Sequence, residues 1–412
     1  MSNNLLTISK ITNEALMVLE NELTFTGGVD KNYDDQFSVV GAKIGQTVNV
    51  RRPGRFIGAV GPQLVVEDFN ETSVPVTLST QFQVSTQFTT QDLALSLDMF
   101  SDRVLKPAIA TVANKIDRDG LLMAKNNTAN IVGTAGTAPT GLITYLTAAA
   151  YLDSEGAPRD GRRSVTIEPF TSSTIVDSLK GLFVPTTQIS SQYTKGLMGR
   201  DSGGMNWYMD QNVVSQTFGS YSTATLSCNV TTATGFLSTG WAYSSNITIG
   251  ATSAAATLNQ GDTFTIAGVY AVNPQNRQSY GKLRNFVVQS TTAIGSGGTA
   301  TVTVVPAVIT GGQFQNVSVT STGSQTVTPF NNTGIVSPQN ILMHRNAFTL
   351  ACADLELPEG VHFAGRASDK ELGLSIRVVR QYTINNDSIP TRLDVLYGWA
   401  PLYPELACRI AS

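Results

Sequence analysis

Charged residues are scarce in this chain, at 14% of 412 residues, and the formal net charge is only −3 at pH 7. Dedicated nucleic-acid-binding proteins are normally basic, so this balance argues against that class while leaving weak contact with DNA open. Gly, Ser, Thr, Asn and Gln are plentiful instead. Such a composition favours a β-rich structure with many turns and with large surfaces that other copies of the chain cover.

Cysteine and histidine are also few, which limits redox and metal chemistry. Cys228, Cys352 and Cys408 lie far apart and lack the paired spacing of zinc or redox motifs, so we expect buried or partly exposed free thiols. His344 and His362 fit no metal-binding spacing, and we expect them at the surface or at the edge of the core. The sequence therefore predicts no metal site.

Catalytic motifs are missing as well. The sequence has no nucleophile elbow, dinucleotide fingerprint or kinase signature, and Gly133 to Gly141 lacks the Lys-Ser/Thr ending of a phosphate loop. Asp354, Glu356 and Glu359 form a local acidic group, but neighbouring carboxylates act as general acid and base only where a cleft perturbs them. We therefore expect a non-enzymatic protein with no catalytic residue and no cofactor.

Long hydrophobic runs are absent too. No segment reaches the roughly 18 apolar residues of a membrane span, and the start of the chain lacks the pattern of a signal peptide. We therefore expect synthesis and residence in the cytoplasm, without a membrane partner. Residues 1–25 instead contain an amphipathic helix that is too short to be stable unless it docks on something.

The longest predicted helix runs from Phe100 to Asn126, with Ser101 as its N-cap. Its apolar stripe comprises Leu105, Ile109, Val112 and Ile116. Its polar face comprises Lys106, Asn114, Lys115, Asp117 and Arg118. A helix with this pattern lies on the body of a protein with one side in solvent. It suits a shape that reaches neighbouring molecules and, equally, an ordinary α+β domain.

Residues 45–88 are predicted to form a protruding β-hairpin. A strand at Gln46 to Arg52 leads into glycine- and proline-rich turns, and a long alternating strand returns from Val74 to Phe88. Pro75 confines that strand to an edge or a projection, because proline removes a hydrogen-bond donor. The basic residues at the tip are Arg51, Arg52 and Arg55. A contact with phosphate fits them, but we favour pairing with carboxylates on a neighbouring subunit.

Shorter helices and strands are predicted both before and after the middle of the chain. Helices are predicted at Leu142 to Ser154 and at Ser172 to Phe183, with a strand at Val165 to Ile167 between them. Near the end, alternating strands at Ser375 to Asn385 and at Arg392 to Trp399 flank an Asn-Asn-Asp turn. This mixture predicts a compact α+β domain.

Charge disappears almost entirely in the middle of the chain. No charged residue lies between Asp210 and Asp262 or between Arg284 and Arg345. Short β-branched runs fill this region between Gly- and Asn-rich turns: Leu226–Val230, Phe264–Ile266, Asn285–Val288 and Thr301–Val305. The pattern predicts a small all-β barrel or sandwich. Because mixed helix and strand patterns resume after residue 336, we predict that this β-domain is inserted into the α+β domain.

The C-terminal third carries a specific resemblance. Its segments, in order, are His344-Arg345-Asn346-Ala347-Phe348-Thr349-Leu350, Leu355-Glu356-Leu357-Pro358-Glu359-Gly360, Gly373-Leu374-Ser375-Ile376-Arg377, Arg392-Leu393-Asp394-Val395-Leu396-Tyr397-Gly398 and Pro404-Glu405-Leu406-Ala407-Cys408-Arg409-Ile410. This order resembles the coat proteins of tailed bacteriophages, and in particular the Salmonella podovirus branch, whose members carry an extra inserted domain. Gly261 to Val269 also resembles a segment of that insert.

The resemblance implies the Hong Kong 97-like capsid fold, which is α+β. Its parts are an N-terminal arm, an extended hairpin called the E-loop, a peripheral domain with a long spine helix, and an axial domain that here receives the β-barrel. The implied segments are 1–44 (arm), 45–90 (E-loop hairpin), 91–135 (peripheral domain), 136–216 (first axial part), 217–335 (inserted β-domain) and 336–412 (second axial and peripheral part).

The resemblance also implies a function. The chain would be a major capsid protein whose hexamers and pentamers form an icosahedral shell around packaged double-stranded DNA, in virions assembled in the host cytoplasm. The implied partners are other copies of the chain, a scaffolding protein, a portal protein, DNA held weakly and without sequence specificity, and optionally a decoration protein. Two alternatives stay open: an encapsulin-type compartment shell, and a β-rich adhesin-like protein whose residues 217–335 bind a ligand.

Covalent crosslinks are a further question that the resemblance raises, because some members of this superfamily join an E-loop lysine to an asparagine of a neighbour. No lysine lies between Lys43 and Lys106, and the guanidinium of arginine cannot replace it because it stays protonated. Three scattered cysteines in a reducing compartment do not favour disulfides either. We predict that mature particles, on a denaturing gel without reductant, give one band near 43.8 kDa. A ladder of heat-resistant oligomers would contradict this.

Overall fold

The computed structural model of the chain describes residues 23–31, 47–58, 60–64, 66–67, 69–89, 106–179, 203–221, 224–231, 235–331, 334–369 and 374–412. The chain divides into two compact units. The first consists of Met1–Val50, Val74–Gly120 and Phe348–Ala400, and the second of Arg51–Ser73, Leu121–Ala347 and Pro401–Ser412. Most of the predicted N-terminal helix, and the predicted cap Ser101, lie outside the described residues.

The described helices are α1 (Lys106–Asn127), α2 (Leu142–Ser154) and α3 (Pro169–Leu179). The first twelve strands are β1 (Thr47–Arg52), β2 (Thr72–Thr77), β3 (Thr80–Thr89), β4 (Ile131–Gly133), β5 (Arg163–Ile167), β6 (Asn206–Met209), β7 (Ser215–Thr217), β8 (Thr225–Asn229), β9 (Phe236–Leu237), β10 (Ser245–Thr252), β11 (Ala256–Leu258) and β12 (Thr263–Val272). The next twelve are β13 (Ser279–Val288), β14 (Thr292–Ile294), β15 (Thr299–Val305), β16 (Val308–Ile309), β17 (Val317–Val319), β18 (Ser324–Pro329), β19 (Val336–His344), β20 (Phe348–Ala353), β21 (Phe363–Asp369), β22 (Leu374–Arg380), β23 (Ser388–Pro401) and β24 (Ala407–Ala411). Short 3₁₀ helices lie at Thr26–Gly28, Arg345–Ala347, Ile384–Asn386 and Pro404–Leu406.

Helix α1 confirms the longest predicted helix over its described part. The side chains of Ile109, Val112 and Ile116 are fully buried, as the apolar stripe predicts. Asp117 was predicted on the solvent face, and that prediction is wrong, because this carboxylate is buried. It accepts hydrogen bonds from the backbone N–H groups of residues 24, 25 and 26, the first of them at 2.7 Å. The segment at the end of the N-terminal arm therefore covers a face of α1 that the helical pattern alone assigns to solvent.

Phe25 secures this segment in the core of the first unit. Its ring lies 5.7 Å from the ring of Trp399 and 6.4 Å from that of Phe348. The helix approaches so closely at Gly120 that an added Cβ atom would lie 2.6 Å from the Trp399 ring. Only glycine fits at this point, since a Cβ atom never comes that near to another heavy atom without displacing it.

The first unit is built on a five-stranded sheet of order β20-β23-β22-β21, in which β3 also pairs with β23. The pairs β21–β22, β22–β23 and β23–β3 are antiparallel. The predicted long strand of the hairpin is therefore two strands: β2 pairs with β1, while β3 pairs with β23 through a register that sets Val84 opposite Leu393. The strand predicted from Ser375 to Asn385 ends at Arg380, and Ile384 lies beyond its end with an exposed side chain.

The second unit contains a mixed sheet of order β4-β24-β19-β5-β6, with β7 also paired to β19. Helix α2 packs on it and has the predicted bounds. Tyr145 and Leu152 are fully buried, and the Tyr145 ring lies 4.9 Å from that of Trp207. Leu146, the residue after Tyr145, is 41% exposed. Helix α3 begins at Pro169, earlier than predicted, and the predicted residues after Leu179 lie outside the described part.

The charge-free region forms a closed antiparallel β-barrel, which confirms the prediction of a β-barrel in this region. Its six strands pair in the ring β13-β15-β10-β8-β18-β12, and β12 closes the ring on β13. Strand β17 adds to β12 outside the ring. Each of the four predicted β-branched runs is a barrel strand. The interior is filled by apolar side chains, including Phe264 and Phe286 with ring centroids 6.0 Å apart, so the barrel is a packed core rather than a channel.

Candidate functional site

The three arginines predicted as a contact site have different environments in the structure. Arg51 is 80% exposed, and its guanidinium lies 3.4 Å from the carboxylate of Glu71. The side chain of Arg52 is 10% exposed and that of Arg55 is 33% exposed. We call residues 51–55 the hairpin root. Of the three arginines, Arg51 alone projects freely into solvent, so the set does not form one uniform basic patch.

Arg52 and Glu405 form a largely buried ion pair inside the second unit, with side chains 10% and 17% exposed. The Arg52 guanidinium also lies over the Tyr403 ring, 4.4 Å from its centroid, and over the Trp241 ring at 5.5 Å. Planar guanidinium groups stack well on aromatic faces. Burial alone would raise the pKa of Glu405, but the charges of Arg52 and Arg55 outweigh burial and hold the pKa of that carboxyl below its ordinary value. Glu405 therefore stays ionised and offsets part of the positive charge of the hairpin root within the same chain.

A second buried ion pair joins the barrel to the mixed α/β part of the second unit. Arg284 on β13 pairs with Glu155, the residue that follows α2, and both side chains are almost inaccessible to solvent. Burial raises the pKa of Glu155, and the charge of Arg284 opposes that shift. Because charges are costly to bury, each partner depends on the other.

The two ion pairs line one cavity of about 220 Å³. Three arginines (Arg52, Arg55 and Arg284) and two glutamates (Glu155 and Glu405) contribute to its wall. The apolar and aromatic part of the wall includes Trp241, Tyr243, Val272, Ile309, Phe314 and Tyr403. The hairpin root, the barrel and the C-terminal segment therefore meet at a polar pocket with a net positive formal charge.

Every charged residue of the charge-poor region contacts a segment outside the barrel. Between residues 211 and 344 these are Asp262, Arg277, Lys282 and Arg284. Their contacts are a hydrogen bond from Gln216 Nε2 to Asp262 (2.9 Å), one from Arg277 Nη2 to the carbonyl of Phe56 (2.8 Å), the Lys282 ammonium 5.0 Å from the centroid of Tyr151, and the Arg284–Glu155 pair. The few charges of the barrel thus fix its position within the second unit.

A separate polar cluster is buried where α1, β7 and β24 meet the barrel. Lys125 Nζ donates to Gln216 Oε1 at 2.7 Å, and Arg409 Nη1 donates to the carbonyl of Gly261 at 2.8 Å. Asp262 accepts from the backbone N–H of Gly219 at 2.9 Å as well as from Gln216. Burial, together with the nearby charge of Arg409, lowers the pKa of Lys125 from 10.5 to about 8. The folded chain therefore disfavours the charged form of Lys125.

This shift predicts that Lys125 contributes more to stability as the pH rises above 8. Between pH 8 and 10.5 the unfolded chain keeps the proton on Lys125 while the folded chain releases it, so the contribution of this residue to the free energy of unfolding rises with pH. From pH 8 to 9.5 the expected gain is about 2 kcal/mol. Lys125→Met should lack that gain, and Lys115→Met, whose half-exposed ammonium pairs with Asp119 on the same helix, should keep it. Urea unfolding of the three chains at both pH values measures the difference, and equal pH slopes would contradict the prediction.

The connection between β1 and β2 carries a large exposed apolar surface, which we call the hairpin tip, residues 56–69. Its exposed apolar side chains are Phe56, Ile57, Val60, Leu64, Val66 and Phe69, all at least 55% accessible. The rings of Phe56 and Phe69 stack with centroids 5.8 Å apart. The Glu67 carboxylate accepts hydrogen bonds from the backbone N–H groups of Ile57, at 2.7 Å, and Gly58. The tip is thus folded locally while its apolar side chains face solvent.

The residues considered for chemistry do not come together. Cys228, Cys352 and Cys408 are free and buried, as expected. His344 is fully buried rather than at the surface, and its Nε2 lies 3.2 Å from Asp160. Within the described ranges, no group of three or more His, Cys, Asp or Glu side chains is arranged to hold a metal ion. No helix among the described residues is long and apolar enough to cross a membrane.

Of the acidic group, Asp354 lies 3.4 Å from Arg366. Glu356 and Glu359 are exposed in the loop after β20. The carboxylates of this group therefore occupy different environments and share no cleft that would perturb them.

Three charged residues of the cavity are not recognisable in the sequence as site residues: Glu155, Arg284 and Glu405. Glu155 and Arg284 are 129 positions apart, and Arg52 and Glu405 are 353 apart, so no local spacing signals either pair. One signal is available for Arg284. An isolated charge in a region that otherwise excludes charge marks a residue with a specific partner, since an unpaired buried charge is costly.

The comparison with protein families decides the assignment. The family model described as P22 coat protein, gene protein 5, matches residues 8–409. The chain belongs to the P22 coat protein family. The coat-protein resemblance of the C-terminal segments is thereby confirmed. No curated protein sequence matches the chain.

Solved structures with a similar fold come from several phages. A chain of Mycobacterium phage Che8 shares 11% identity over 94% of this chain and 90% of that chain, with a TM-score of 0.47. The capsid of Ralstonia phage GP4 shares 8% identity over 91% and 85%, with a TM-score of 0.45. The capsid structure of Cyanophage P-SCSP1u shares 12% identity over 89% and 83%, with a TM-score of 0.42.

The coat protein is thus a structural protein of the virion, a major capsid protein that forms an icosahedral shell. Its fold is α+β and includes a closed six-stranded β-barrel. Family membership favours this function over the encapsulin-type and adhesin-like alternatives. The six predicted segment boundaries, and the intersubunit role of Arg51, Arg52 and Arg55, stay predictions.

Proposed function

We propose that the coat protein assembles as hexamers and pentamers through its hairpin, and that the apolar hairpin tip packs on a second copy of the chain in the shell. Assembly takes place in the host cytoplasm on a scaffolding protein, with a portal protein at one vertex and a decoration protein as an optional partner. The shell encloses double-stranded DNA, held weakly because the net charge of the chain is −3. Catalysis has no part in this function.

The exposed hairpin tip is the observation that carries the proposal. Leu64 and Val66 are 90% and 82% exposed, and four further apolar side chains of the tip are more than half exposed. Contiguous apolar surface of this kind is rare on a chain that works alone, and it marks an interface. Each Å² of apolar surface that a neighbour covers contributes roughly 25 cal/mol. A shell of many copies of one chain supplies that neighbour at every hairpin.

Charge contributes to specificity at the edge of the same surface. Arg51 is 80% exposed beside the tip, and we propose that it contacts an acidic group of the adjacent subunit. Exposed ion pairs contribute about 0 to 1 kcal/mol each, so Arg51 guides orientation more than it adds affinity. Arg52 and Arg55 contribute to assembly as residues of the cavity wall.

Assembly of a tip variant tests the proposal. Leu64→Asp with Val66→Asp places two charges in the apolar contact, and we expect few or no particles by sedimentation and electron microscopy. Because both side chains are exposed, the thermal unfolding of the unassembled chain should change little. Ile384→Asp, which alters an 82% exposed residue of the first unit, is the matched control and should assemble normally. Normal particle yield from the tip variant would refute the proposal.

A further inference from the structure

The cavity at the hairpin root carries more positive charge than its own carboxylates neutralise. Three arginines and two glutamates line it, which leaves a formal charge of +1. Arg52 binds Glu405, and Arg284 binds Glu155. Arg55 is the arginine left over: its guanidinium lies 4.0 Å from Glu405, which Arg52 already holds, and it makes no hydrogen bond within the described part of the chain.

Arg284 contributes to the positive charge of the cavity wall, but its side chain is only 4% exposed and its Nε–H is enclosed, with no hydrogen-bond partner among the described residues. The cavity, at about 220 Å³, is several times larger than the roughly 30 Å³ that a water takes up in the liquid, so it has room for an acceptor group from outside.

We propose that this cavity is a carboxylate-binding site, and that it receives a glutamate from the loop after β20 of a second copy of the chain. The inference rests on the proposed assembly through the hairpin and names the contact partner of the hairpin root. One carboxylate brings the formal charge of the cavity to zero. Inorganic phosphate, with a charge nearer −2, would leave the cavity with a negative formal charge. Arg55 is placed to hold the carboxylate at the cavity mouth, since it is one-third exposed and has free donors.

The loop after β20 carries two exposed carboxylates that fit this role. Among the described carboxylates with an exposed side chain, those of Glu356 and Glu359 form no hydrogen bond or ion pair. They flank Leu357 and Pro358 and precede Gly360, whose φ of +79° closes a turn that few other residues adopt. Leu357 is 39% exposed and is suited to the apolar wall of the cavity. The loop therefore offers charge and apolar surface that complement those of the hairpin root.

Engineered disulfides test the contact directly. The natural cysteines are buried, so new cysteines at the two surfaces are the reactive ones. We expect Arg55→Cys combined with Glu356→Cys, or with Glu359→Cys, to give dimers and higher oligomers on a non-reducing gel after oxidation of particles, and none after oxidation of unassembled chains. Ile384→Cys with Glu359→Cys, at the 82% exposed residue that also serves as the assembly control, should crosslink much less. Particles that form normally and show no crosslink in either combination would overturn the inference.

Charge reversal gives an independent measurement. Arg55→Glu should lower the particle yield at least tenfold, and Glu359→Arg or Glu356→Arg in the same chain should restore most of it. If Arg55→Glu assembles normally while the tip variant fails, the cavity inference is wrong and the proposed function stands. If the tip variant assembles normally, the proposed function itself fails. If Arg55→Glu impairs only DNA-filled particles and leaves empty shells unaffected, the site binds a phosphodiester instead, which also overturns the inference.

Discussion

Replacing Asp117 by Ala is expected to release the end of the N-terminal arm from α1. The buried carboxylate accepts three backbone N–H groups and the hydroxyl of Thr26. Without it, those donors stay buried with no acceptor, at a cost of about 1 to 3 kcal/mol each unless the segment detaches. Detachment limits the loss to about 3 kcal/mol, which corresponds to roughly 100-fold faster hydrogen exchange at the amides of residues 24–26.

The control for this prediction lies one position further along the helix. Arg118→Ala changes an exposed side chain of α1 and should leave the exchange of the same amides within about twofold of the unchanged protein. Asp117→Asn keeps the shape and one acceptor oxygen, so it should fall between the two. Unchanged protection of Thr24, Phe25 and Thr26 in Asp117→Ala would show that Phe25 in its aromatic pocket holds the segment without the carboxylate.

Asp117 also illustrates where the sequence stops being informative. Its position relative to Ile109, Val112 and Ile116 places it away from the apolar stripe. The sequence of the helix does not indicate that residues 24–26 cover that face. The covering segment lies more than ninety positions earlier in the chain. A helical pattern reports which side of a helix is apolar, whereas a polar side that is buried under hydrogen-bond donors looks the same as one in water.

The barrel shows the opposite case, because its strands are predictable. Its strands are rich in β-branched residues, its turns are rich in Gly and Asn, and its interior is apolar, so the local pattern and the final environment agree. The hairpin lies between these extremes. Its alternation continues from Val74 to Phe88, yet the pairing changes from β1 to β23 at Leu78 and Ser79. Alternation defines the two faces of a strand and does not identify the strand that pairs with it.

The candidate site was predictable only in part for a related reason. The cluster of arginines at the hairpin root is visible in the sequence because its members are neighbours. Their partner Glu405 lies in the C-terminal segment, where one glutamate after a proline carries no local sign of an ion pair. The identity of the partner follows from the packing of three distant segments around one cavity. Such contacts can be identified only in the folded structure, whereas residue types and short spacings can be read from the sequence.

Breaking the Arg284–Glu155 pair is expected to have the largest effect on the second unit. Arg284→Met leaves Glu155 buried without its cation, and removal of one partner of a buried pair costs about 3 to 5 kcal/mol. Arg284→Met with Glu155→Leu removes both charges and should recover most of that loss, because two apolar side chains of similar volume pack where the pair was. Arg159→Met, in a pair with Asp153 whose arginine is 77% exposed, is the control and should cost less than about 1 kcal/mol.

The pH dependence of Arg284→Met separates loss of charge pairing from loss of packing. Burial already raises the pKa of Glu155, and removal of the arginine takes away the charge that opposes this shift. The folded variant then prefers a protonated Glu155, so its stability falls as the pH rises from the ordinary pKa of the carboxyl toward the raised one. The loss of stability of Arg284→Met relative to the unchanged protein should therefore be larger at pH 8 than at pH 5. Thermal unfolding of the unassembled chains at the two pH values measures it. A defect of equal size at both would mean that Arg284 stabilises the barrel by its packing, and that the charge of Glu155 is neutralised elsewhere.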